Sequence, residues 1–558
     1  MRETSLARKA AVTGTRSPRV PAAEGADERG SSTPLARLRP SFWVTVGALT
    51  SGLAVFLLAR LTAWPPNEDE TLVFFVSRQP IGELLHTVMD ERGGAPLHFL
   101  LAHFTLQVSP TLEALRLLSA LPMIVAVPVV AALASRLAGR RAAVVASILV
   151  AASWTAHFHG IYARMYGLFL LATALSFLLL LRAIERPTIP RWALWGFAAL
   201  TTIAVQPYGA LVLAVQAAYV AWCGRRRLRS LGKPALTFAL VVVVALPFWI
   251  TYAQLASRFD VAAGTGGSST LGRPGDVLAY LWETLGDFTA GWLGAQVPIA
   301  LGTLAGVALL ARRRRDAAVL SGLVVLVPAV ALLATRSGTG LFLETRHLLF
   351  ALPFVATALA VAILAAARAA GRFGPGIVAV ALVTVVALQI AWGFSRTPWL
   401  YSGEPAAREA ARAEAAAWLA ATGRPDDVLF GYEPTYLDAS QAGAPYGELF
   451  IPRADPVLAL RELRGTDRPL GHGVWVLDAS DHLRPSLVQL TIPERSPGPS
   501  FEARAFGPFL VVRTREATGT PERFLEDTYA VQRVSRTLAI GDARINLITV
   551  EEALRLAR

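Results

Sequence analysis

Cysteine is nearly missing from this chain. The one copy, Cys223, excludes any intramolecular disulfide, and its place at the end of an apolar run reads as a buried free thiol. Charge is scarce as well: of 558 residues, 17% are charged and 54% hydrophobic, and the mean hydropathy is +0.47. A soluble domain carries about 25% charged residues, so this composition excludes an ordinary soluble fold and indicates a polytopic membrane protein. No apolar segment precedes residue 41. Residues 1–40, rich in Arg, Ser, Pro, Gly and Ala, are therefore not a signal peptide and read as a disordered cytoplasmic tail. No repeat of solenoid length is present. Lysine is almost absent, and the dominance of Arg and Ala fits a GC-rich bacterial genome and hence a bacterial inner (plasma) membrane.

The net charge of +13 does not indicate nucleic acid. The basic residues sit in short clusters between apolar runs, as cytoplasmic loops do under the positive-inside rule. A spanning helix needs roughly 20 apolar residues. Eleven candidates follow: about 41–63, 115–136, 142–158, 165–184, 192–206, 209–223, 235–255, 292–311, 317–335, 347–367 and 375–394. The fifth and sixth are short and meet at Gln206-Pro207-Tyr208-Gly209. A further apolar stretch, 95–108, carries His98, His103 and Gln107. The clusters at Arg136/Arg140/Arg141, Arg182/Arg186/Arg191, Arg225–Lys233, Arg312–Arg315 and Arg368/Arg372 share a side with the N-terminal tail only if 95–108 does not cross. It is expected to be interfacial or re-entrant.

Three parts result: the tail 1–40, a transmembrane region 41–394 with a long outer loop at 64–112, and an extracytoplasmic α/β domain at 395–558. The last part predicts a helix at about 405–421 and strands near 428–432, 473–477, 508–513 and 545–550. It holds no Gly-rich phosphate loop, Cys/His metal spacing or nucleophile elbow.

The outer loop begins WPPNEDET, placing Glu68, Asp69 and Glu70 directly after the first span. Single ionisable groups adjoin other outer helix ends: Arg164 in YARMYG, and Glu344 and Arg346 in LETRHLLFALP. Interfacial charges are functional hypotheses. Carboxylates and guanidiniums in one outer pocket suit a lipid carrier with a phosphate headgroup, and a carboxylate can serve as base toward an acceptor hydroxyl. His157 and His159 lack a placed third ligand, so hydrogen bonding is the better reading than metal. Gln206 and Tyr208 either line the cavity or satisfy backbone groups freed by Pro207. Glu68 reads as a solvated neighbour, and Glu91 as a surface acid.

NEDET after the first helix resembles the Asp-Glu motif of the GT-C superfamily of polytopic glycosyltransferases, in the subgroup of protein O-mannosyltransferases and aminoarabinose transferases. GGAPLHFLLAHF, YARMYGLFLLATALSFLLLLRAIER and ETRHLLFALP are similar to later segments of that subgroup, in the same order. The resemblance covers about 41–395. It implies a GT-C-like helical fold and sugar transfer from a polyprenyl-phosphate donor to a lipid, glycan or protein acceptor outside the cytoplasm. It implies Asp69 as catalytic base and Glu70 as its partner. Arg164, Tyr166, Arg346, His347, Glu344, Tyr208 and His98 are then the substrate-binding set. Gly94-Ala95-Pro96 departs from the commoner His-Pro-Pro or Lys-Pro-Pro and removes a side chain that could touch phosphate. No cofactor is required by these residues; a divalent metal cation on Asp69 or Glu70 is the one left open. The other class of reading is a transporter or flippase, which should show repeated halves with broken helices at corresponding positions. No such symmetry is visible. A non-catalytic sensor would not need the intact acid pair.

Overall fold

A computed structural model describes residues 41–555, apart from 92–93, 226–231, 254–272, 335–343, 448, 454–455, 480–490 and 539–553. The tail 1–40 and the strand expected at 545–550 lie outside the described residues.

Among the described residues the apolar runs of 41–394 are helical, because in a bilayer they have no water to satisfy their backbone. Among the described residues seven helices are long and apolar enough to cross a membrane, or up to nine if each of two bent pairs is one span. The bent pairs are Arg140–Ala152 with Trp154–Ile161, at 55°, and Gly232–Val244 with Leu246–Ala253, at 54°. The first pair breaks at Ser153, whose side chain caps the second helix by accepting from the Ala156 N–H at 3.2 Å. Helices Ile189–Val205 and Gly209–Gly224 are apolar but only 17 and 16 residues long. Length and composition alone therefore stop short of the expected eleven.

The longest span, Leu112–Ala138, has 27 residues and contains Pro122 and Pro128. It packs against Tyr166–Glu185. A Cβ on Gly167 would collide with the Ser119 carbonyl oxygen, so glycine is what lets these helices touch. The Ser119 hydroxyl donates to the Arg164 carbonyl at 2.8 Å and ties the outer turn to the same contact.

The segment expected to be the first outer loop, 64–112, is built of short helices. Glu68–Arg78 and Ile81–His86 are separated by Gln79-Pro80, which ends the first of them. Pro96–Val108, at 13 residues, is too short to cross and packs on Glu68–Arg78.

Among the described residues the C-terminal part holds a five-stranded sheet in the order β2-β1-β3-β5-β4. The strands are β1 (Val428–Phe430), β2 (Leu449–Ile451), β3 (Gly473–Asp478), β4 (Phe501–Phe506) and β5 (Phe509–Thr514). β1 runs parallel to β2 and β3, while β5 is antiparallel to β3 and β4. Strand alternation splits the core in two. Leu429, Val474, Val476 and Val511 pack with helices Ala406–Thr422 and Pro434–Gln441; Val428, Trp475, Leu510 and Val512 pack with Pro456–Gly465 and Pro521–Thr537. Sequence periodicity anticipated β1, β3 and β5 and the helix at 406–422. It missed β2, only three residues long, and β4, whose FEARAF pattern is too polar to stand out.

The first of these cores does not stop at the domain edge. It continues through Phe450 and Tyr436 into Val73, Phe74, Phe75 and Phe99 of the outer loop. Phe75 and Phe450 meet with ring centroids 4.5 Å apart, and Arg78 Nη1 donates to Ser440 at 3.3 Å.

Candidate active site

The acid cluster opens a helix, and the three acids part company there. Asn67 is the N-cap: its Oδ1 accepts from the Asp69 N–H at 2.9 Å, and Glu70 Oε2 accepts from the Asn67 N–H at 3.1 Å. This is a capping box with acids at the positive end of the helix dipole. Helical spacing then sends Glu68, Asp69 and Glu70 in three directions.

Glu70 is fully buried. Its Oε1 accepts from Arg116 Nε at 3.0 Å and from the Ala163 N–H at 2.9 Å, and its Oε2 accepts from Arg116 Nη2 at 2.7 Å. Arg116 also donates to the carbonyls of Leu61, Trp64 and Pro65, at 2.7, 2.8 and 3.2 Å. The pair therefore joins the first helix end, the acid helix, the long span and the 162–164 turn. Glu70 has no exposed atom to offer a substrate.

Asp69 has a different setting. Half-buried, its Oδ2 accepts from the Tyr162 hydroxyl at 2.5 Å, and lies 3.9 Å from Arg164 Nε and 3.7 Å from Arg346 Nη2. Burial acts to raise its carboxyl, but the two guanidiniums and the Tyr162 hydrogen bond outweigh it, holding Asp69 below the usual carboxylate value. Arg346 Nη2 also donates to Glu344 Oε1 at 2.6 Å, and its guanidinium lies 5.1 Å from the Tyr166 ring. Burial raises the Glu344 carboxyl, against the pull of Arg346. Two acids beside one arginine are thus shifted in opposite senses, the usual way to keep one of them ionised.

The guanidiniums are not saturated. Among the described residues neither Arg164 Nε nor Arg346 Nε has a hydrogen-bond partner, though both are buried. A buried N–H without an acceptor is costly, so both are suited to an anionic oxygen.

His98 lies beside the same turn, bonded to the Ala163 backbone. Burial, and then the Arg164 charge, push its imidazole down to about 3, so the ring is neutral. Its Nε2 is buried without a partner among the described residues. Farther along, Tyr208 stacks on His347 with centroids 4.2 Å apart and planes 14° from parallel. His347 Nδ1 accepts from the Glu344 N–H at 3.1 Å, which fixes the ring.

Glu68 is not simply solvated. Its Oε1 lies 3.5 Å from the Tyr432 N–H and its Oε2 3.8 Å from Arg453 Nη1, both in the C-terminal domain; Arg453 is also paired with Glu433. His157 meets the Tyr401 hydroxyl at 3.1 Å and the Ala151 carbonyl at 2.9 Å, an arrangement of hydrogen bonds.

Sequence reasoning missed Tyr162 and Arg116. Tyr162 stands two residues before Arg164 in the same motif. Arg116 was detectable as a charge in the first two turns of an apolar span, a recognised signal.

A divalent cation does not fit this donor set. Glu70 is spent on Arg116, and Asp69 faces two guanidiniums. Among the described residues no group of three or more His, Cys, Asp or Glu is placed to hold a metal ion.

Residues 94–251 match the family model described as dolichyl-phosphate-mannose-protein mannosyltransferase. The chain resembles the GT-C glycosyltransferases. The matched segment includes His98, Arg164, Tyr166 and Tyr208, while Asp69, Glu344 and Arg346 lie outside it. Solved GT-C structures with some likeness include ArnT from Cupriavidus metallidurans bound to undecaprenyl phosphate, at 13% identity and a TM-score of 0.49, covering 85% of this chain and 98% of that one. Another is the archaeal oligosaccharyltransferase AglB from Archaeoglobus fulgidus, in complex with an inhibitory peptide and a dolichol-phosphate, at 12% identity and a TM-score of 0.47, covering 77% and 69%. No curated protein matches the chain in sequence. The apolar helices, by their number, length and composition, indicate a multi-pass membrane protein.

Proposed function

We propose that the protein is an integral membrane glycosyltransferase of the bacterial inner membrane. It moves a sugar from a polyprenyl-phosphate donor to a hydroxyl of a lipid, glycan or protein acceptor on the extracytoplasmic side. The observation that carries this reading is the setting of Asp69, hydrogen-bonded by Tyr162 and flanked by Arg164 and Arg346, whose buried Nε atoms have no partner among the described residues.

Asp69 takes the proton as the acceptor oxygen attacks the anomeric carbon. The bond from that carbon to the phosphate oxygen breaks, and the lipid monophosphate leaves with the electron pair. Arg164 and Arg346 stabilise the charge that gathers on it, in a partly dry cavity where such pairing is strong. The neutral His98 Nε2 accepts from a sugar hydroxyl, and the Tyr208–His347 stack offers a face to the ring.

Asp69 is a weak base while both arginines are beside it. A donor phosphate occupying those guanidiniums adds negative charge nearby and weakens their hold, so the carboxylate becomes more basic once the donor is in place. Glu70 acts as a positioning residue: it holds the 162–164 turn against the acid helix through Ala163 and Arg116.

Replacing Asp69→Asn tests the reading. Transfer of sugar from a polyprenyl-phosphate donor, measured in membranes, should fall by roughly 10²–10⁴-fold. The variant should still insert and keep the wild-type unfolding temperature. Full activity in that variant removes Asp69 from the reaction.

A further inference from the structure

The loop that carries Arg346 is held by a neighbouring helix. Thr345, the preceding residue, donates from its hydroxyl to Asp287 Oδ2 at 2.6 Å. On the other side of the same peptide, the Glu344 carbonyl accepts from the Tyr280 hydroxyl at 2.9 Å. Tyr280 and Asp287 lie two turns apart on the helix Pro274–Phe288. That helix therefore grips the loop at two adjacent residues.

The grip is itself anchored. The Asp287 side chain is almost wholly buried, and its Oδ1 accepts from Trp392 Nε1 at 3.2 Å and faces Arg396 Nε at 3.3 Å. Its backbone carbonyl accepts from the Thr155 hydroxyl at 2.7 Å, on the helix that leads to Tyr162 and Arg164. One residue thus touches the elements that deliver both arginines. A buried carboxylate is costly unless it is paired, and a plain turn needs none. The loop also needs the help: it is a short 3₁₀ turn, with non-helical backbone at Leu348. Arg346 reaches the cavity on a long, flexible stem, so its aim depends on where its backbone is held.

We infer that Thr345 and Asp287 are positioning residues that aim Arg346 at the donor phosphate. This rests on the reading of Arg346 as a phosphate ligand. Neither residue touches substrate.

Thr345→Val keeps the shape and removes the hydroxyl; Thr345→Ser keeps the hydroxyl. The full-length protein in detergent is titrated with undecaprenyl phosphate, a polyprenyl monophosphate, and its donor kinetics are measured. Thr345→Val should bind the lipid roughly tenfold more weakly and raise donor KM by a similar factor, and kcat should fall too, because Arg346 also stabilises the departing phosphate. Thr345→Ser should behave as wild type. Wild-type binding and KM in Thr345→Val overturn the inference. So does an equal loss in both variants, since that reports general damage. If Thr345→Val does not fold, Tyr280→Phe removes the second grip, and the same rise in KM is required of it. A wild-type protein that neither binds the lipid nor transfers sugar overturns the functional reading and takes this inference with it. Wild-type binding with an unaffected Thr345→Val removes the brace alone.

Discussion

Glu70 and Arg116 form a buried bidentate pair across 46 residues of sequence, with Nε on Oε1 at 3.0 Å and Nη2 on Oε2 at 2.7 Å. The acid next to the proposed base is a keystone of the loop, and its neighbour Asp69 is the one left facing the arginines. That division makes the two carboxylates separable by experiment.

Breaking the pair from either side should unfold the outer loop. Glu70→Gln and Arg116→Met each leave a buried charge without its partner, which costs about 3–5 kcal/mol. Thermal unfolding in detergent should show the loss in both, and activity should fall with stability. Asp69→Asn should lose activity without the stability change. A stable but inactive Glu70→Gln would return Glu70 to the chemistry.

The pH profile follows from the signs at Asp69. Its carboxyl sits below the ordinary value of 3.8, so it is ionised throughout the neutral range and activity that depends on it is lost only as pH falls through the lowered pKa. Tyr162→Phe removes the 2.5 Å hydrogen bond, and Arg346→Gln removes one of two flanking charges. Each raises the Asp69 pKa. The acid limb of kcat/KM should move to higher pH in both variants, and further in Arg346→Gln, which also raises donor KM.

Sidedness can be read directly. Helix Pro96–Val108 is too short to cross, so residues on either side of it share one face of the membrane. A reporter fused near residue 110 should score outside the cytoplasm. A cytoplasmic signal there would invert the assignment of every later loop.

Gly167→Leu should be poorly tolerated because a Cβ there strikes the Ser119 carbonyl oxygen, part of the same contact that ties down Arg164. Overpacking of this kind costs about 1–3 kcal/mol. Gly47→Leu, which has nothing within 4 Å, is the matched control and should keep the wild-type unfolding temperature.

Much of the fold was legible because membrane helices announce themselves by length and apolarity, and the sheet's central strands by short continuous apolar runs. The short strand Leu449–Ile451 and the polar Phe501–Phe506 carry too little of either signal. Asp69 stood out within an acid cluster, and Arg164 and Arg346 as charges, all at the ends of apolar helices. The role of Glu70 did not, because nothing local says which of three consecutive acids will turn inward: that is decided by Arg116 and the Ala163 N–H, 46 and 93 residues away. Asp287 and Tyr280 left no trace, since one acid and one tyrosine on an amphipathic helix look like any others.

The helix that presents Asp69 ends its apolar face in Phe75, seated on Phe450 of the C-terminal domain. Six residues of helix separate these positions, roughly 9 Å. A tilt of about 6° at the Phe75 end swings the carboxylate by about 1 Å, a displacement that can cost about a hundredfold in rate. If Asp69 is the base proposed above, the sheet that seats Phe75 is the mounting of the instrument, and remodelling it would detune that base unless the seat were kept.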